Sequence, residues 1–168
     1  GTYVTLLSLD NIKQMIYMRV AVETMVLRDF MEIQTPMVME EIRHAIAVQK
    51  ALIQTPGFEP EQFYRMDAQM HSLWFTAVKR QKLWDMLQAQ QLHYTRFRML
   101  DFITETDFPR IIGEHEQLFE LICKKDLSGL EQVLKDHLYY SMKRMRHSIE
   151  VDYKDYFEEE PEENRFVI

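Results

Sequence analysis

The chain has 168 residues, 46% of them hydrophobic, with only 4 Gly and 5 Pro. That length fits one domain with a sizeable core, and so few turn formers exclude a turn-rich all-β fold. The formal charge of −7 is concentrated at one end: residues 150–168 hold eight acids and two bases and carry −6, leaving about −1 for residues 1–149. No basic stripe tracks a phosphate backbone, so this chain by itself does not bind nucleic acid. The single cysteine, Cys123, rules out an internal disulfide and fits a reducing cytoplasm. No apolar run is long enough to span a membrane, no signal peptide opens the chain, and a first residue of Gly is expected of a processed or excised N-terminus.

Apolar spacing predicts six helices, with seven as the alternative, in an all-α antiparallel bundle. The first covers about Leu9 to Ile33, with Ile12, Ile16, Arg19, Glu23, Val26 and Phe30 on its inner stripe. Thr35-Pro36 then reads as an N-cap followed by Pro at the first helical position, opening a second helix to about Ile53. Thr55-Pro56-Gly57 breaks the chain, and Pro60 starts a third helix with stripe Phe63, Asp67, Met70, His71, Trp74 and Val78. The fourth is expected as one helix from about Lys82 to Ile103, with stripe Leu83, Leu87, Gln90, Tyr94 and Arg98. Thr106-Asp107-Phe108-Pro109 marks the next boundary, before a fifth helix with Ile111, His115, Leu118 and Ile122 inward. Asp126 caps the sixth, with stripe Leu130, Val133, His137 and Tyr140. The acidic residues 150–168 read as a frayed or disordered tail. Twelve Met suit a core that adapts to an irregular pocket, and equally one in which Met fills gaps between helices.

A polar group on an apolar helix face is costly unless it is paired. Arg19, Glu23, Asp67, His71, His115 and His137 all lie on such faces. A lone inward histidine is most often a satisfied core residue; three on three helices are not. Asp67 and His71 are four apart and project from one face. Because a bundle turns its stripes toward a shared centre, these two can meet His115 and His137 there, as a site for one divalent transition metal such as Zn, Ni or Mn. His44, His93 and His147 fall off the stripes and read as solvated. Arg19 and Glu23, also four apart, form either an intrahelical salt bridge or a clamp that turns the guanidinium fork toward a carboxylate ligand. Arg98 is a second candidate anion contact, or else a solvated arginine at the stripe edge; Tyr94 and Gln90 on the same stripe complete the candidate effector set.

These residues resemble the FCD domain, the C-terminal effector domain of one branch of the GntR-family bacterial regulators. Arg19-Val-Ala-Val-Glu23 is similar to its R-x-x-x-E, and Asp67-Ala-Gln-Met-His71 to its D-x-x-x-H. Glu114-His115 with Leu118 resembles its E-H-x-x-[IL], and Asp126 with His137-Leu138 its G-D…H-[LM] ending. The resemblance covers about residues 9 to 146 and implies a central metal held by Asp67, His71, His115 and His137 in a metal/ligand cavity. Open metal positions would be taken by water or by the carboxylate of a small organic acid effector. It further implies a homodimer and a missing N-terminal winged helix-turn-helix domain that binds operator DNA. Gly1-Thr2-Tyr3-Val4 is similar to the G-T-[FY]-V that closes the wing, so residues 1–8 read as wing end and linker, 9–149 as the effector domain and 150–168 as the tail. Where the family usually has Asn nine residues after the first ligand His, this chain has Arg80, and its six predicted helices match the shorter subgroup of the domain.

The leading expectation is therefore a cytoplasmic ligand sensor, not an enzyme, that dimerises through apolar residues outside the stripes such as Leu92, Met99 and Met31. The alternative is a mononuclear metal-dependent, hydrolase-like bundle enzyme, since open metal positions activate water. Against it, Glu114 is rotated about a quarter turn from His115 and offers no base at the metal. A di-iron site would need paired E-x-x-H motifs, and only Glu41-Ile-Arg-His44 is present.

Overall fold

The computed structural model describes residues 5–104 and 107–159. Among them are seven α-helices: α1 (Leu9–Ile33), α2 (Pro36–Leu52), α3 (Pro60–Ala77), α4 (Gln81–Gln90), α5 (Leu92–Ile103), α6 (Phe108–Lys124) and α7 (Leu127–Glu150). The Gly1–Val4 motif lies outside the described residues, as do Glu105, Thr106 and residues 160–168.

The helix boundaries follow from local chemistry. The Ser8 hydroxyl accepts from the Asn11 amide at the start of α1, and Thr35 accepts from Val38 at the start of α2, with Pro36 next in line. Asp107 and Asp126 cap α6 and α7 in the same way, on Arg110 and Gly129 amides 3.0 Å away. Each cap satisfies an amide that the first turn leaves without an intrahelical partner. A Cβ at Gly129 would stand 2.7 Å from the capping carboxylate of Asp126 and 2.9 Å from the Leu121 side chain, so a larger residue there would displace the cap or Leu121.

The helix expected over 82–103 is two helices, which gives the alternative count of seven among the described residues. Gln91 leaves helical geometry at φ −96, ψ 26. No Pro or Gly marks the break, and apolar spacing runs through it, which is why the pattern reads as one helix. The buried series Trp84, Leu87, Gln91, Tyr94 and Arg98 continues through it at helical spacing. Trp84 is buried against Phe75 with ring centroids 5.2 Å apart, while Leu83 is exposed. Gln91 is buried, and Gln90 is exposed.

α1 packs against α3, α5, α6 and α7, and α2 covers α3 and α6. An aromatic knot of Phe63, Phe102 and Phe108 ties α3, α5 and α6 together, with edge-on centroid distances of 4.8 and 5.8 Å from Phe63. Burying a side chain of this size contributes about 1.5–3 kcal/mol. Of the apolar residues expected outside the stripes, Met31 is buried and Met99 packs against the core, leaving Leu92 exposed with Tyr17, Met25, Met37 and Met86. No helix of the described residues is long and apolar enough to cross a membrane.

The start of the acidic tail is folded rather than frayed. A 3-10 turn at Lys154–Tyr156 leads into a parallel bridge between Phe157 and Leu7, both buried.

Candidate metal centre and effector site

Asp67 and His71 sit one turn apart on α3, His115 on α6 and His137 on α7, and all four are buried. One ligand atom from each lies within 4.8 Å of the others. Metal–ligand bonds of about 2.0–2.2 Å place opposed donors roughly 4 Å apart, so a small contraction suffices to bind an ion.

The backs of the three rings are held. His71 Nδ1 is 2.7 Å from a Glu23 carboxylate oxygen, His137 Nδ1 is 2.9 Å from a Glu114 oxygen, and His115 Nδ1 is 2.8 Å from the Gln49 amide oxygen. Gln49 donates its own N–H to the Met66 carbonyl at 3.2 Å, which fixes the amide oxygen toward His115. An acceptor behind each ring draws the ring's proton to Nδ1 and leaves an Nε2 lone pair facing the centre, as metal-bound imidazoles require.

The front of the cluster holds polar atoms that the protein leaves unpaired. Asp67 Oδ1, His71 Nε2 and His115 Nε2 are buried without hydrogen-bond partners. His115 Nε2 is nevertheless 3.2 Å from Asp67 Oδ1. A protonated ring would bond there. Burial, however, pushes His115 down to about 4, with the neighbouring histidines His137 and His71 adding to the fall against the pull of Asp67, so the ring is neutral at pH 7. Gln49 claims its one proton. Lone pair then faces carboxylate, a repulsion that a cation between them removes. Burial also opposes the charge of Asp67; in the tautomer that turns Nε2–H toward it, His115 outweighs that opposition together with His71 and Arg98, and the carboxyl lies well below the usual range. His137 is likewise pushed down, chiefly by burial. One carboxylate and three imidazoles suit a divalent first-row metal.

Arg19 and Glu23 adjoin this cluster. Arg19 Nε donates to Glu23 Oε1 at 2.6 Å, and Nη1 donates to the Tyr94 hydroxyl at 2.9 Å. The expected intrahelical pair is therefore present, and Glu23 uses its second oxygen on His71. One carboxylate thus joins the guanidinium to the cluster. Burial works against the Glu23 anion, yet Arg19 and His71 bring it down to about 2. The Arg19 guanidinium lies 5.4 Å from the Tyr94 ring centre and 6.0 Å from that of Trp84.

Arg98 is buried, not solvated. It stacks over Phe102 at 4.4 Å and reaches Asp101 at 3.4 Å and the Ser141 hydroxyl. Gln90 lies on the exposed side of α4, and the neighbouring Gln91 is the inward residue. Arg80 is exposed at the start of α4, after Lys79 in the left-handed region at φ 59. His44 and His147 are exposed as expected, whereas His93 is partly buried and accepts from the Ser8 amide at 3.1 Å. Two functional side chains carried no assignment in the sequence. Gln49 follows Ile42 and Ile46 on the inner face of α2, and that polar break in an apolar stripe is a readable signal. Glu114 is indeed turned away from the centre, onto the back of His137.

The FCD domain family matches residues 14–140, most of the helical bundle and all four cluster residues. The chain belongs to the FCD domain family. This FCD domain is also similar to curated regulators. The HTH-type transcriptional repressor RspR of Escherichia coli (strain K12) is 22% identical over 160 residues, spanning 95% of this chain and 69% of the relative. The uncharacterized HTH-type transcriptional regulator YdfH of Shigella flexneri matches to the same extent.

Proposed function

We propose that this FCD domain is the ligand-sensing and dimerisation half of a cytoplasmic GntR-family transcription regulator. It binds one divalent metal, Zn, Ni or Mn, through Asp67, His71, His115 and His137. A small organic acid places its carboxylate on the open metal positions of a central cavity and against Arg19, with Tyr94 and Arg98 beside it. Bound metal supplies a Lewis-acidic anchor for that carboxylate. Effector binding favours one of two arrangements of the bundle, and the dimer conveys it to operator DNA through an N-terminal winged helix-turn-helix domain. The observation that carries this reading is the set of buried, unpartnered Nε2 and Oδ1 atoms facing one another. A hydrolytic reading requires a free base at the metal, and the two nearby glutamates, Glu23 and Glu114, are both engaged with histidines.

Elemental analysis of the purified domain is expected to find about one transition metal per chain. Chelation is expected to lower the melting temperature and added metal to restore it, because binding to the folded form alone stabilises it. Arg19→Lys is expected to weaken binding of a co-purified acid more than metal binding, since it keeps the charge and loses the fork. A metal-free protein whose melting ignores both chelator and added ions would refute the reading.

A further inference from the structure

Residues 5–8 form a junction on which three parts of the bundle converge. Their backbone continues directly into α1. They bond to the first turns of α5, where His93 Nδ1 accepts from the Ser8 amide at 3.1 Å and Arg96 donates to the Thr5 hydroxyl at 3.3 Å. The segment beyond α7 closes over them: the Leu7 amide donates to the Tyr156 carbonyl at 2.8 Å, and the Glu158 amide to the Leu7 carbonyl at 2.9 Å. Leu7 and Phe157 are buried at that bridge.

Each of the three helices also carries a group of the candidate site. α1 supplies Arg19 and Glu23, α5 supplies Tyr94, next in sequence to His93, and α7 supplies His137. The Arg19–Tyr94 hydrogen bond links α1 to α5, and the Ser8–His93 bond links the same two helices nearer the start of the chain. A shift of α5 along α1, or of α7 against either, therefore strains the bonds made by Leu7 and Ser8.

We propose that residues 154–158 are a strap that holds residues 5–8 on α5, so that metal occupancy of the Asp67–His137 cluster is felt at the N-terminal end of this chain. The coupling rests on the metal reading above; the strap itself does not. It gives part of the acidic tail a role, as the clasp of a transmitting junction. Packing of Phe157 supplies the hold, and the Tyr156 and Glu158 backbone supplies the register.

Amide hydrogen exchange on the whole chain tests both parts. In the chelated protein, Phe157→Ala is expected to speed exchange at Leu7 and Glu158 by roughly three- to tenfold, the loss of about one net hydrogen bond. His93→Leu is expected to do the same at Ser8, with helices elsewhere unchanged. Adding Zn(II) to the unmodified chain is expected to change exchange at Leu7 and Ser8, and Phe157→Ala to abolish that response at unchanged metal stoichiometry. If Phe157→Ala leaves Leu7 exchange alone, there is no strap. If Zn(II) binds stoichiometrically and residues 5–8 do not respond, the coupling is wrong while the metal reading stands. If no Zn(II) binds, the metal reading and the coupling fall together, and the chelated-state result still decides the strap.

Discussion

Two buried polar clusters sit a few turns apart in this bundle and are completed in opposite ways. At Asp101 the charges meet one another: Arg98, Arg144 and the Ser141 hydroxyl all converge on its oxygens, joining α5 to α7. At Asp67 the polar atoms are arranged around a centre and leave one another unsatisfied, while their outer sides are fully engaged by Glu23, Gln49 and Glu114. The first arrangement is what a structural ion network needs. The second is the arrangement that the proposed metal would complete. Burial and charge alone do not distinguish them; the direction of the unused lone pairs does.

The largest expected effect separates the clusters by stability. Asp101→Ala leaves Arg98 buried without its carboxylate and is expected to cost about 3–5 kcal/mol in denaturant unfolding. The loss should be the same with and without metal. Equal loss of metal affinity in this variant would mean that the two clusters act as one.

A smaller effect should appear at the outer partners of the metal cluster. Glu114→Leu and Gln49→Leu keep much of the volume and remove the acceptor behind His137 or His115. Each is expected to weaken metal binding about 10–100-fold by competition with a chromogenic chelator. His44→Ala, on the exposed face of α2, is expected to change nothing. If the outer variants bind as tightly as the parent, the histidines are not oriented by these contacts.

The pH response of metal-free protein sharpens the contrast further. His115 is depressed to about 4 from an ordinary value near 6.5, so the unfolded state binds its proton first as pH falls. Its contribution is present above about 6.5 and is lost progressively down to about 4. Glu23, brought down to about 2, acts in the same direction at lower pH. Thermal melts of chelated protein are therefore expected to fall between pH 6.5 and 4, with His115→Gln flattening the upper part of that fall. A parent profile that is flat over this window would contradict a neutral, buried His115.

Much of this was legible in advance because the physics was periodic. Histidines on three apolar stripes, with Asp67 one turn from His71, could be placed at one centre without coordinates. The caps Thr35, Asp107 and Asp126 announced their helices. What escaped was non-periodic. The break at Gln91 has no breaker residue. Gln90 and Gln91 are adjacent and alike in type, and only their burial separates them. Sequence spacing does not decide between an anion contact and solvent for Arg98, whose partners Asp101 and Ser141 lie on two helices. The fold of residues 154–158 depends on Leu7, some 150 positions away, and an acidic composition says nothing of such a pairing.

The chain has two tryptophans, and their positions give the site an intrinsic optical reporter. Trp74 meets the ring of His71 edge-on with centroids 4.9 Å apart, and Trp84 lies beside the Arg19 guanidinium. One indole therefore borders the proposed metal site and the other the proposed anion contact, and Glu23 joins the two. Emission from this protein carries no background from distant tryptophans, so occupancy of the two halves is readable without a label. A single Trp→Phe replacement then separates the two signals.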